Sequence, residues 1–194
     1  MPRLYIIAGC NGAGKTTASF TVLPEMLNCT EFVNADEIAR GLSPFKPESV
    51  ALEAGRIMLD RILLHIRNCV DFALETTLAT RSYAGLIKKA QAKGYFVSLL
   101  YFWLVSPEQA IMRVAKRVAE GGHNIPEDVI RRRYTNGLRN LFELYIPICD
   151  YWVMYDNSCI DTNVKTIASG SKGVEQEVPD MELYNTLKKK ALEL

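Results

Sequence analysis

Gly9-Cys10-Asn11-Gly12-Ala13-Gly14-Lys15-Thr16 stands directly behind the apolar run "RLYIIA". Its spacing is G-x-x-x-x-G-K-[ST], the phosphate-binding P-loop. Each residue type has a physical reason to be there. Glycines let the backbone curl closely around a phosphate and aim successive N–H groups at it. Asn11, Ala13 and Thr17 complete the cradle, and a helix predicted from about Lys15 adds its positive N-terminal end. Lys15 can reach β- and γ-phosphates, and the Thr16 hydroxyl can ligate Mg²⁺. The chemistry is that of a bound nucleoside triphosphate.

What is done with the triphosphate must come from the rest of the chain. A GTPase switch needs D-x-x-G and N-K-x-D, and a transport ATPase needs a signature such as L-S-G-G-Q; the sequence has none of these. Motor ATPases place two acids after an apolar strand, whereas here Glu75 is followed by Thr76 and Thr77. Phosphoryl transfer to a bound acceptor fits better. Asp36 ends "FVNAD", where a strand delivers it to the carboxyl edge of a sheet. A carboxylate there can take the proton of an attacking hydroxyl. The competing reading makes Asp36 only the N-cap of a helix starting near Glu37. Glu75 ends "VDFALE", where it can hold a water on Mg²⁺, bind an acceptor hydroxyl, or form a plain salt bridge. Thr76, Thr77 and Arg81 bring hydroxyls and a cation to the mouth where an acceptor would lie, and the competing reading makes each of them only a loop cap.

Cations cluster further on. Arg113, Lys116, Arg117, Arg131, Arg132, Arg133 and Arg139 face only Glu120, Glu127 and Asp128. Arg113 and Arg117 are four apart and share one helix face. The link "EGGHNIPED" hinges at Gly121 and Gly122, so residues of about 113–133 read as a lid whose arginines neutralise the moving phosphoryl group. Arg117 and Arg132 are taken as its catalytic members. The bland reading is a solvated basic face, and 131–133 cannot all point one way. His65 reads as a core residue, His123 as a hinge residue without a partner, and the turn Asp156 to Ser158 as a source of contacts to the base.

These residues need a frame. Apolar or β-branched runs at 4–8, 31–35, 70–75, 95–105 and 151–156 predict strands covered on both faces. Helical patterns lie between them, at 48–68, 82–93, 107–120 and 126–146. The alternation predicts a three-layer α/β fold of P-loop kinase type with a mostly parallel five-stranded sheet. A hairpin over 163–178, turning near Gly170 and Gly173, and a final helix follow. One domain over 1–194 is expected.

Composition excludes other classes. A net charge of +1 over 194 residues supplies no electrostatic case for gripping nucleic acid or an anionic membrane. No apolar stretch reaches transmembrane length. Five cysteines, an odd count with no CxxC pair, predict reduced thiols and a cytoplasmic protein.

The motifs "AGCNGAGKTT", "FVNADEIARGLSP", "FALETTLA" and "GGHNIPEDVIRRRY" together resemble the zeta-toxin family of P-loop kinases over roughly residues 3–158. The resemblance implies ATP or GTP with Mg²⁺, and UDP-N-acetylglucosamine as the acceptor, phosphorylated on the sugar 3′-hydroxyl. It also implies an antitoxin partner. By motif, Lys15 is the P-loop lysine and Asp36 the acceptor-activating aspartate. Glu75 and Thr77 resemble the Glu-x-Thr that touches the sugar nucleotide, and Arg117 with one of Arg131 to Arg133 would be lid arginines. Two departures bear on the acceptor. Thr76 stands where characterised toxins have glycine, and the chain lacks segments that complete the site in larger toxins.

The expected activity is transfer of a γ-phosphoryl group to a hydroxyl of a small acceptor. Rival readings are a kinase for a nucleoside, an antibiotic or an RNA end, and a non-catalytic NTP-binding regulator. RNA is disfavoured because the basic cluster lacks interleaved aromatics.

Overall fold

The computed structural model describes residues 1–122, 124–159 and 164–193. The expectation for His123 therefore lies outside the described residues. In chain order the elements are β1 (Arg3–Gly9), α1 (Lys15–Thr21), β2 (Phe32–Val33), α2 (Ala35–Leu42), α3 (Ala51–Asn68), β3 (Phe72–Thr76), α4 (Tyr83–Ala92), β4 (Phe96–Trp103) and α5 (Pro107–Ala119). Then come α6 (Glu127–Asn140), α7 (Ile146–Ile148), β5 (Tyr151–Asp156), β6 (Lys165–Ser171), β7 (Val174–Glu177) and α8 (Met181–Glu193).

The sheet order is β2-β3-β1-β4-β5-β6-β7. The first five strands run parallel, and β6 and β7 join antiparallel. Seven strands thus replace the expected five, because the C-terminal hairpin adds to the sheet and covers the edge that β5 would leave open. Its turn is Lys172-Gly173, with φ of 49° and 80°, the pair of positive values a tight hairpin needs. Gly170 lies within β6 instead of the turn.

Alternation explains the continuously apolar strands. Leu4, Ile6 and Ala8 of β1 pack on one face with Val97, Leu99, Tyr101 and Trp103 of β4. Tyr5 and Ile7 pack on the other with Leu100 and Phe102. Both faces are buried, so both sets of positions are predominantly apolar, with Ser98 opposite Tyr5 a buried exception. The α8 helix closes one layer by stacking Tyr184 on Trp152, centroids 6.1 Å apart.

Helix boundaries follow local chemistry. The Ser106 side chain caps α5 by accepting from the Gln109 N–H at 3.1 Å. The pattern over 48–68 divides into a 3₁₀ turn at Pro47–Val50 and then α3. The helix expected to run through 146 widens into a π turn at Leu141–Tyr145, and another π turn at Val22–Met26 extends α1. Pro24 lies inside one and Pro147 just after the other, where a missing N–H interrupts the i→i−4 ladder. Among the described residues no helix is long and apolar enough to cross a membrane.

Candidate active site

The P-loop leaves β1 in the middle of the sheet. Its neighbours are β3 on one side and β4 on the other, the switch point where open α/β sheets bind ligands. Gly14 adopts φ 80°, and a Cβ there would lie 2.6 Å from Asn157 Nδ2. That Nδ2 instead donates to the Ala13 carbonyl at 2.8 Å. Arg113 donates to the Gly12 carbonyl at 3.5 Å and to the Ser158 carbonyl at 3.0 Å. The 156–158 turn and α5 therefore brace the loop from behind. Gly12, Gly14, Thr17, Phe102, Arg113 and Asn157 line a cavity of about 560 Å³ on this side.

Lys15 is buried, donates from Nζ to the Cys10 carbonyl at 2.9 Å, and sits 3.6 Å from Glu75 Oε1. The Thr16 hydroxyl donates to Glu75 Oε2 at 2.8 Å. Pleating accounts for this. Glu75 is in register with Ile7 and shares the face of Ala73, the side on which α1 lies. Burial pushes the Cys10 thiol up to about 11, against the opposing pull of Lys15.

Asp36 stands on the first turn of α2 but does not cap it. Asn34 is the cap: its Oδ1 accepts from the Asp36 N–H at 2.8 Å and the Glu37 N–H at 3.4 Å. Among the described residues no hydrogen bond or ion pair occupies the Asp36 carboxylate, which is exposed. It borders three cavities. One of about 210 Å³ is lined by Lys15, Asp36, Glu75, Thr77, Tyr83 and Arg133. A second of about 570 Å³ includes Thr16, Thr17, Arg40 and Arg117, and a third of about 680 Å³ includes Arg40, Phe45, Gly122 and Arg133.

One face of α6 spans the site. Arg133 donates to Asn11 Oδ1 at 3.2 Å. Four residues on, a Cβ on Gly137 would come within 2.5 Å of the Thr77 carbonyl. Asn140 donates to the Leu78 carbonyl at 2.7 Å. Positions 133, 137 and 140 follow i, i+4, i+7. Tyr145 holds the Thr80 carbonyl at 2.6 Å, so the 77–80 loop is pinned at three points. Leu78 keeps a φ of 54° within it, unusual for a leucine.

Several expected site residues lie elsewhere. Arg132 is exposed, and Arg133 takes the inner position, because adjacent helical residues diverge by about 100° and the buried face runs through Ile130, Tyr134 and Gly137. Arg131 pairs with Glu108. Arg81 pairs with Glu143 at 3.6 Å with two-thirds of its side chain exposed, and does not line the acceptor-side cavities described above. Thr76 and Thr77 do line the smallest of the three cavities, and their hydroxyls accept from Leu78 N–H and Ala79 N–H, capping their own loop. His65 is buried and stacks on Phe72, which lowers its pKa through desolvation. Asn34, Gly137 and Asn140 carried a role that the motif reading passed over. Only Asn34 had a usable signal, an Asn two residues before an acid at a helix start.

The zeta toxin family profile matches residues 1–146. The chain belongs to the zeta-toxin family. A Haemophilus influenzae relative described as an uncharacterized protein is 32% identical over 133 residues, 68% of this chain and 92% of its own. Among solved structures, the AvrRxo1-ORF1:AvrRxo1-ORF2 complex with sulphate ions superimposes with a TM-score of 0.76 at 18% identity, over 97% of this chain. This chain spans 64% of the length of that one. The same complex with ATP matches with a TM-score of 0.74 at 20% identity, over 97% of this chain and 64% of that one. A structure from the PezAT toxin-antitoxin system of Streptococcus pneumoniae matches with a TM-score of 0.63 at 19% identity, over 100% of this chain and 87% of that one. The zeta-toxin-family chain thus has a P-loop kinase fold.

Proposed function

We propose that this zeta-toxin-family protein is a Mg²⁺-dependent kinase that moves the γ-phosphoryl group of ATP or GTP onto a hydroxyl of a small acceptor, with a sugar nucleotide such as UDP-N-acetylglucosamine as the substrate class. One observation carries the reading. The Asp36 carboxylate, with no partner among the described residues, stands where three cavities meet beside the phosphate cradle.

The chemistry follows from the chain's own groups. Asp36 accepts the proton of the acceptor hydroxyl as its oxygen bonds to the γ-phosphorus, and the bond to the β–γ bridging oxygen breaks to release the diphosphate. Lys15 and the P-loop N–H groups hold the phosphates. Arg117 and Arg133, reaching in from the two helices that flank Gly121 and Gly122, neutralise charge on the moving group. Residues of about 113–133 act as the lid of a single kinase unit. Thr16 and Glu75 fit a hard cation: a hydroxyl and a carboxylate 2.8 Å apart, one-tenth exposed on the Glu75 side, form an oxygen donor pair. Bound Mg²⁺ would neutralise the phosphate charge there. The small cavity suits a sugar ring, and Arg40, which borders both larger ones, suits a diphosphate beyond it. A cytoplasmic location and an antitoxin partner go with this role.

The test is incubation with γ-labelled ATP and a panel of sugar nucleotides, nucleosides and RNA ends, followed by mass spectrometry. One sugar nucleotide gaining a phosphate supports the proposal. Label on nucleosides alone, or on nothing, contradicts it.

A further inference from the structure

Asn34 is nine-tenths buried and uses both ends of its amide. Nδ2 donates to Glu75 Oε2 at 2.9 Å, the oxygen that also accepts from Thr16. Oδ1 accepts from the Asp36 and Glu37 N–H groups. One side chain therefore joins the carboxylate at the phosphate cradle to the backbone that carries the free carboxylate. The strand preceding it is only two residues long, so β2 alone gives this position little rigidity.

We propose that Asn34 is a positioning residue that fixes Asp36 relative to the phosphate cradle by bridging it to Glu75. The inference rests on the kinase reading above. Reacting atoms must be held within a few tenths of an ångström for an in-line transfer, and a displacement of about 1 Å costs about 10²-fold in rate. The Asn34 amide is the bond that sets this distance.

Asn34→Asp separates the two functions of the amide. A carboxylate caps a helix as well as an amide does, so α2 keeps its start. It cannot donate to Glu75. At saturating acceptor and nucleotide its kcat is expected to fall about 10- to 100-fold, with nucleotide affinity within about threefold of wild type. Asn34→Ser adds no charge, keeps the cap and is too short to reach Glu75, and it should show the same split.

A second measurement needs no acceptor. The Tm of Asn34→Ser should stay close to wild type, because the cap on α2 is kept. Variants with wild-type kcat, or whose fall in kcat comes only with an equal loss of nucleotide affinity, overturn the role of Asn34. A wild-type protein with no acceptor-dependent transfer overturns the kinase reading itself, and the two failures are told apart by the wild-type assay alone.

Discussion

Arg133 donates to the side-chain oxygen of Asn11 at 3.2 Å across 122 positions of sequence. This bond ties α6 to the phosphate cradle, and it singles out one arginine from three in a row. Arg133→Ala should lower turnover by about 10²- to 10³-fold, the usual loss for a preorganised charge aimed at a developing anion. Arg132→Ala should stay within about twofold of wild type, since its side chain faces solvent. Steady-state kinetics at saturating nucleotide distinguish the two, and equal losses would contradict the assignment.

Asn140 is buried and holds the Leu78 carbonyl. Asn140→Ala leaves that carbonyl without its donor, which costs about 1–3 kcal/mol of stability. The 77–80 loop loses one of three anchors, so KM for the acceptor should rise more than KM for the nucleotide. Thermal unfolding and two-substrate kinetics check both parts.

Burial pushes the Cys10 thiol up to about 11 although Lys15 pulls it down, so desolvation wins. At pH 8 the thiol is almost wholly protonated and inert. Iodoacetamide at that pH should label the exposed Cys69 and Cys159 and leave Cys10 unmodified, with nucleotide binding intact. Peptide mass spectrometry after timed labelling reads the order; early labelling of Cys10 would contradict it.

Arg81 offers a control on the acceptor side. Its exposed pair with Glu143 is of the kind that contributes little in water. Arg81→Ala should leave both Tm and turnover near wild type, and a large rise in acceptor KM would show that the residue swings into the site.

Much of this was legible in the residues themselves. The P-loop spacing and the twice-buried strands need only local pattern, so β1, β4, β5 and the cradle emerge from reading along the chain. Directions were less legible. Whether Glu75 faces the cradle depends on its register against Ile7, a relation between strands that no single stretch carries. Arg133 rather than Arg132 turns inward because of where Tyr134 and Gly137 pack, a tertiary fact. The hairpin reads as a hairpin, but its attachment to β5 depends on a distant edge needing cover. Asn34 was overshadowed by the acid two residues later.

Asp36 is the proposed proton acceptor. Asp36→Asn keeps shape and removes the base. Phosphotransfer and nucleotide affinity, measured side by side, should show turnover falling by about 10²- to 10⁴-fold while affinity stays within about threefold. An Asn variant that transfers phosphate at the wild-type rate would contradict the mechanism.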